Sequence, residues 1–138
     1  MRFMMFIKIE QDGYGEPAPD DVGAMMRYNE ELTQAGALLA LDGLQPPSMG
    51  ATVTFGDDRK PTVVDGPFAE AKEVIGGYWI IQTKSKEEAV EWAKRVPADP
   101  GQVIEVRQVF EMSDFSDEVR EAAGELSSPP PQQPVGDL

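Results

Sequence analysis

Cysteine and histidine are both missing from this chain of 138 residues. Without cysteine there is no disulfide, no thiolate nucleophile, no Cys zinc site and no iron–sulfur ligation. Without histidine there is no Ser-His-Asp triad, no imidazole acid/base and no His metal ligand. Any chemistry therefore falls to carboxylates, Lys, Tyr, Arg, Ser/Thr or the backbone. Basic residues are scarce as well. Lys plus Arg number 12 against 25 Asp plus Glu, a net charge of −13. A field of that sign repels phosphate backbones, so nucleic acid is not expected as a direct ligand.

Long apolar runs are lacking too. The opening stretch Met1-Arg2-Phe3-Met4-Met5-Phe6-Ile7 is broken by Lys8 and Glu10, too short for a secretory leader and far short of a bilayer span. It is expected to be a first strand of a cytoplasmic protein with no membrane partner.

What is present reads as one domain with a tail. Phe3, Met5, Ile7 and Ile9 alternate with Met4 and Phe6, so a strand over 3–9 is apolar on both faces and expects cover on both. Gly13, Gly15, Pro17 and Pro19 make a loop. Asp20 or Asp21 is expected to cap a helix with Val22, Met25, Met26, Leu32 and Ala35 inward and Gly36 as its stop. Ala37 to Leu44 reads as a second strand, ended by Pro46-Pro47. Ala51–Phe55 and Pro61–Val64 flank Gly56-Asp57-Asp58-Arg59-Lys60 as a hairpin. After a turn at Asp65-Gly66-Pro67-Phe68, the spacing predicts a short helical piece over 69–73. A buried strand follows from Tyr78 to Thr83. Ser85 with Glu88 forms a capping box for a helix bearing Ala89, Trp92, Ala93 and Val96 on one side. Val103 to Phe110 is the last strand, with Ile104, Val106 and Phe110 on one face and Val103, Glu105, Arg107 and Val109 on the other.

This order predicts an α+β fold, the ferredoxin-like split βαβ. Two helices cover one face of a four-stranded antiparallel sheet, and a small hairpin is attached. The second apolar face of the first strand needs another partner, and a second copy of the chain is the economical one. A homodimer with sheets packed face to face is expected. Residues 1–110 form the domain. Residues 111–138 hold seven acids and one base, with Phe115, Val119, Ala122 and Leu126 at helical spacing before a Pro-rich end. This short helix is expected to pack on its own domain, the alternative being an arm laid across the dimer partner.

The densest chemistry lies in Val64-Asp65-Gly66-Pro67-Phe68-Ala69-Glu70-Ala71-Lys72-Glu73. Asp65, Glu70 and Glu73 bring three carboxylates near the Lys72 ammonium. Paired carboxylates can raise one pKa and yield an acid/base couple. Equally, Asp65 is a cap and the others are a solvated face. Arg107 on a strand is expected to pair with Asp65, Glu105 or Asp42, as a structural ion pair or an anion site. Asp57-Asp58 lacks the oxygen ligands of a calcium loop, so no metal site is expected.

DGPFAEAKE over Asp65–Glu73 resembles the YCII-related family, in its DGPF subgroup. Gly76-Gly77-Tyr78, Asp42-Gly43-Leu44-Gln45-Pro46-Pro47, Ala35-Gly36-Ala37-Leu38-Leu39 and Val103-Ile104-Glu105-Val106-Arg107 match as well. The resemblance covers roughly residues 1–110. It implies a fold of the dimeric α+β barrel type. Of activity it implies little. A few relatives are cofactor-free enzymes that eliminate or isomerise ring-derived compounds, using a His–Asp pair this chain cannot supply. Others accompany alternative sigma factors, which implies a regulatory role.

Two readings follow. One is a binding dimer, its pocket between sheet and helices or at the dimer seam. Asp65, Gly66, Pro67, Phe68 and Glu70 would lie near the ligand, with Tyr78, Arg107 and Asp42 orienting it. The other is a lyase or isomerase without a cofactor. Asp65 or Glu73 would move the proton and Lys72 or Arg107 would steady an oxyanion.

Overall fold

A computed structural model describes residues 1–15, 17–67 and 72–124. Their elements are β1 (Arg2–Glu10), α1 (Pro19–Gln34), β2 (Leu38–Gly43), β3 (Ala51–Phe55), β4 (Pro61–Asp65), β5 (Glu73–Gln82), α2 (Lys86–Lys94), β6 (Val103–Gln108) and α3 (Asp117–Ala123). β2, β5, β1 and β6 lie side by side in one four-stranded sheet, antiparallel at every pairing. This is the ferredoxin-like order, with the two β-α-β halves interleaved and both crossover helices, α1 and α2, on one face. β3 and β4 form a separate two-stranded ribbon.

Side-chain alternation assigns the two faces. Phe3 and Met5 of β1, Leu41 of β2, and Trp79 and Ile81 of β5 turn toward the helices. They bury against Tyr28 and Leu32 of α1, Ala89 of α2, and Val96, with Ile104 and Val106 of β6 packed alongside. Full burial of side chains this large contributes about 1.5–3 kcal/mol each. Polar tips inside this layer are satisfied. Trp79 Nε1–H donates to Asn29 Oδ1 at 2.9 Å, and the Trp79 ring meets Tyr28 edge-on at 5.9 Å.

Residues out of phase with that set form the opposite face. Tyr78, Phe6, Glu105 and Asp42 share one register row, and Ile80, Met4, Arg107 and Ala40 the next. Lys8 pairs with Val103 and Ile75, and both of these apolar residues are nearly half exposed.

The helix ends show where local rules held. Gly36 stops α1 with φ +71°, a left-handed conformation that favours glycine. Neither Asp20 nor Asp21 caps α1. Ala18 occupies the cap without a side-chain bond, Pro19 opens the helix, and the two aspartates sit in its first turn. Proline's fixed φ suits the first helical position, and the acids favour the positive end of the dipole. Ser85 caps α2, its Oγ accepting from Glu88 N–H at 3.1 Å. The Glu88 carboxylate reaches back to Lys84 N–H at 3.0 Å, one residue earlier than a standard box.

Three further expectations are corrected. β5 begins at Glu73 rather than Tyr78, so that residue opens a strand instead of closing a helix. The rest of the helical piece expected over 69–73 lies largely outside the described residues, as does Leu126. Gly76 and Gly77, expected to precede the strand, lie inside it at a register shift opposite Ile7 and Lys8. Finally, Phe110 lies beyond β6, is 72% exposed, and stacks on Phe115 at 5.1 Å. Val119 of α3, one of the four apolar residues at helical spacing there, is 47% exposed.

Candidate functional site

The main concavity opens where α1 starts, at one end of the sheet. Tyr28 and Leu32, in the second half of α1, are buried, but the first half stands off the strands. Val22 and Met26, both expected inside, remain 44% and 40% exposed. Together with Met25 they line a cleft of about 680 Å³ whose floor is Ile7 and Ile9 of β1 and Gly76 of β5. Tyr14 and Gly15 close one side, and Pro97, Asp99 and Gln102 the other. Gly76 belongs to the geometry of this floor, because a Cβ there would sit 2.8 Å from Ile9 Cδ1.

The walls are mostly apolar, with one polar atom out of balance. The Tyr14 hydroxyl is buried without a hydrogen-bond partner among the described residues. Burial also raises its pKa above the ordinary phenol value, so it remains a protonated donor near neutrality. Among the described residues, the charged ones lining the cleft are Asp21 and Asp99, and no Lys or Arg lines it.

Next to it lies a polar cleft of about 600 Å³, lined by Glu10, Gln11, Asp12, Pro67, Lys72 and Glu73. Its two sides are joined by Gln11 N–H donating to the Lys72 carbonyl at 2.9 Å. Glu10 and Glu73 are direct register partners across β1 and β5. A smaller hollow of about 260 Å³ links the two clefts, sharing Glu10 and Glu73 with one and Ile9, Gly13, Asp99 and Gln102 with the other. This end of the sheet is therefore an acidic rim around an apolar hollow.

The residues singled out from the sequence do not converge on one point. Pro67, Lys72 and Glu73 share the polar cleft. Asp65 ends β4, exposed, opposite Ala51, and its side chain has no hydrogen bond or ion pair among the described residues. Gly66 is held where only glycine fits, since a Cβ there would lie 1.8 Å from the Pro47 carbonyl oxygen. Phe68 and Glu70 lie outside the described residues. Tyr78 and Asp42 meet on the open face of the sheet, the phenol donating to Asp42 Oδ2 at 2.9 Å. This bond, with a smaller contribution from burial, raises the Tyr78 pKa. Arg107 forms none of its expected pairs. Glu105 is taken by Lys8 at 2.8 Å, Asp42 by Tyr78, and Asp65 is far along the chain on a different ribbon. Among the described residues, no cluster of three or more acidic side chains could hold a metal ion. No helix among them is long and apolar enough to cross a membrane.

Sequence reasoning passed over Tyr14, Asp99 and Gln102. They lie in loops, and only the return of the 97–102 segment to the start of α1 brings them together. The one available signal was an aromatic between two glycines, Gly13-Tyr14-Gly15, in a segment otherwise built for turning.

The model of the YCII-related domain matches residues 1–113. The chain belongs to the YCII-related family. An uncharacterized protein of Rhizobium meliloti (strain 1021) is 34% identical over 74 residues, which is 54% of this chain and 56% of that protein. The chain thus aligns with little more than half the length of this curated relative. The family match ends near the start of the acidic segment, just beyond β6.

Proposed function

We propose that this YCII-related protein, of the DGPF subgroup, binds a small organic molecule in the cleft between α1 and the sheet. It does so without turnover, as a homodimer closed through the open sheet face. What supports the binding reading is a single feature. Tyr14 lines an apolar hollow of about 680 Å³, and its buried hydroxyl has no hydrogen-bond partner among the described residues. Its volume falls within the ~300–1,000 Å³ range of small-molecule sites. Buried hydroxyls are nearly always hydrogen-bonded, and a ligand acceptor would satisfy this one.

Charge narrows the ligand. Among the described residues Asp21 and Asp99 line the hollow and no cation does, and the chain carries −13. An anionic ligand is repelled, whereas an apolar body carrying an amine, with an acceptor for Tyr14, is accommodated. Isothermal titration with 4-(aminomethyl)acetophenone, acetophenone and 4-acetylbenzoate tests this. The amine is expected to bind best, the neutral ketone less well and the benzoate not at all. Tyr14→Phe is expected to weaken the amine about tenfold, the effect of one lost buried hydrogen bond. Equal binding of all three, or of none, overturns the reading.

A second reading is kept by the polar cleft, where Glu73 and Lys72 lie beside Glu10. There a carboxylate would take a proton and Lys72 would steady the resulting oxyanion, without a cofactor. Turnover in a panel of halogenated and lactone ring compounds, lost in Glu73→Gln with unchanged melting, would favour this enzyme over the binder.

A further inference from the structure

The β3–β4 ribbon stands apart from the rest of the fold. All ten of its residues are exposed. Its register places Ala51, Val53 and Phe55 beside Asp65, Val63 and Pro61 on one face, with Thr52, Thr54, Thr62 and Val64 on the other. The first face is apolar apart from Asp65 at its root, and Val53, Phe55 and Val63 are 52%, 68% and 65% exposed. An isolated two-stranded hairpin is marginal in water, and an apolar face of this kind needs a cover.

We infer that the apolar face of this arm lies along β6 of a second copy, on its open sheet face, with Asp65 opposite the partner copy's Arg107 and Phe55 beside its Val103. The inference rests on the homodimer reading above and adds to it which surfaces meet. Three observations carry it. Charge is the first. Arg107 is exposed on the open face with no ion pair among the described residues, and Asp65 is likewise without one. Between two copies that each carry −13, contact requires that acids be paired: the arm's Val53 and Val63 come over Glu105, which Lys8 already holds at 2.8 Å, and Asp65 and Arg107 bring opposite signs together.

Length is the second. The arm takes four residue steps from Ala51, beside Asp65, to Phe55, and β6 takes four from Arg107 back to Val103. At about 3.3–3.4 Å per residue both spans are roughly 13–14 Å. The apolar tip therefore reaches Val103, which is 46% exposed, when the root reaches Arg107.

Area is the third. Four strands about 4.8 Å apart, in register over about six residues, offer roughly 400 Å² of projected face. A standard interface takes about 800 Å² per partner. In a two-fold dimer each copy gives one arm and receives one, which supplies apolar contact the sheet face lacks.

The full chain is tested by light scattering with size exclusion at about 10 µM, a concentration that reports dimers of ordinary affinity. The expected result is a dimer. Phe55→Asp should weaken it at least tenfold. Asp65→Arg and Arg107→Asp should each weaken it, and mixing these two should restore association. Because the chain lacks cysteine, Phe55→Cys mixed with Val103→Cys gives an unambiguous oxidation product, expected as the mixed disulfide. A wild-type monomer removes the homodimer itself. A dimer unaffected by the arm and charge variants, or one that yields no mixed disulfide, overturns the arm assignment and leaves the dimer standing.

Discussion

The Tyr28 hydroxyl donates a 2.8 Å hydrogen bond to the Trp92 carbonyl oxygen, so one phenol ties α1 to α2 over the core. The same ring meets Trp79 and Trp92 edge-on, at 5.9 Å and 6.3 Å. Burial raises its pKa well above the ordinary value, which keeps the hydroxyl a donor near neutrality. Tyr28→Phe retains the ring and removes the bond. The Trp92 carbonyl still accepts from Arg95 N–H, so it is not left wholly unpaired. The expected loss is about 1 kcal/mol, seen as a lower urea midpoint at unchanged m-value. Tyr28→Ala empties the centre of the core and should cost about 3–5 kcal/mol. Equal stability of the Phe variant and the parent would show that the bond adds nothing beyond ring packing.

The joint between arm and domain depends on Gly66. Its N–H donates to the Gly50 carbonyl at 3.0 Å, closing the ribbon's base, while the Pro47 carbonyl oxygen occupies the space a Cβ would need. That neighbour is backbone and cannot swing aside. Gly66→Ala must therefore shift the 47–50 turn or the arm. The sheet and its helices need not move, because their core lies elsewhere. Nuclear magnetic resonance should show amide shift changes concentrated in residues 46–67, with a fall in melting temperature of only a few degrees. Perturbation spread evenly over β1 and α2 would contradict this local account.

The core and the topology were readable because they rest on periodicity. Alternation in β1, the capping serine before α2 and the glycine after α1 are local signals, and each sits where the fold needs it. Asp20 and Asp21 misled because acids favour both the cap and the first turn, and Pro19 decided between them. β5 is longer than its sequence suggests because Gly76 and Gly77 normally interrupt strands. Here they sit at a register shift, where Gly76 passes close to Ile9. The site was less legible. Val22 and Met26 carry the same periodicity as Leu32, and periodicity says which residues face the sheet but not how far a helix stands from it. The acids and lysine of the Asp-Gly-Pro-Phe segment look close in sequence. Yet Asp65 ends one ribbon and Glu73 begins a strand of another sheet.

A pH dependence follows from the N-terminal strand. Arg2 Nε donates to Glu111 Oε1 at 2.6 Å and Nη2 to Oε2 at 3.1 Å, a two-pronged pair tying the segment after β6 back to β1. The hydrogen bond from Arg2 holds the Glu111 carboxyl below its ordinary value of 4.5, with attraction to the same guanidinium adding to it. A depressed folded-state pKa gives stability that is complete above the unfolded value and is lost as pH falls through the folded one. Carbon-13 titration should thus place the Glu111 midpoint below 4.5. Glu111→Gln should be less stable than the parent at neutral pH, and the gap should close in strong acid. A gap that stays constant with pH would assign the effect to packing instead.

The cleft itself can be tested without touching its polar atoms. A methyl at position 76 would come within 2.8 Å of Ile9 Cδ1, the far end of a flexible side chain that can turn away. Gly76 has ordinary backbone angles, since the positive-φ glycines are Gly36, Gly101 and Gly124, so alanine is not strained there by its φ. Because Ile9 and Gly76 share the cleft floor, the rotation that relieves the contact narrows the hollow. Gly76→Ala should therefore change stability by no more than about 1 kcal/mol, in either direction, as alanine also stiffens the unfolded chain. Its affinity for the acetophenone amine should fall about tenfold, as displaced packing against a ligand of that size implies. If affinity and stability fall together, the effect is a general loosening. If affinity is untouched, the ligand does not sit on this floor.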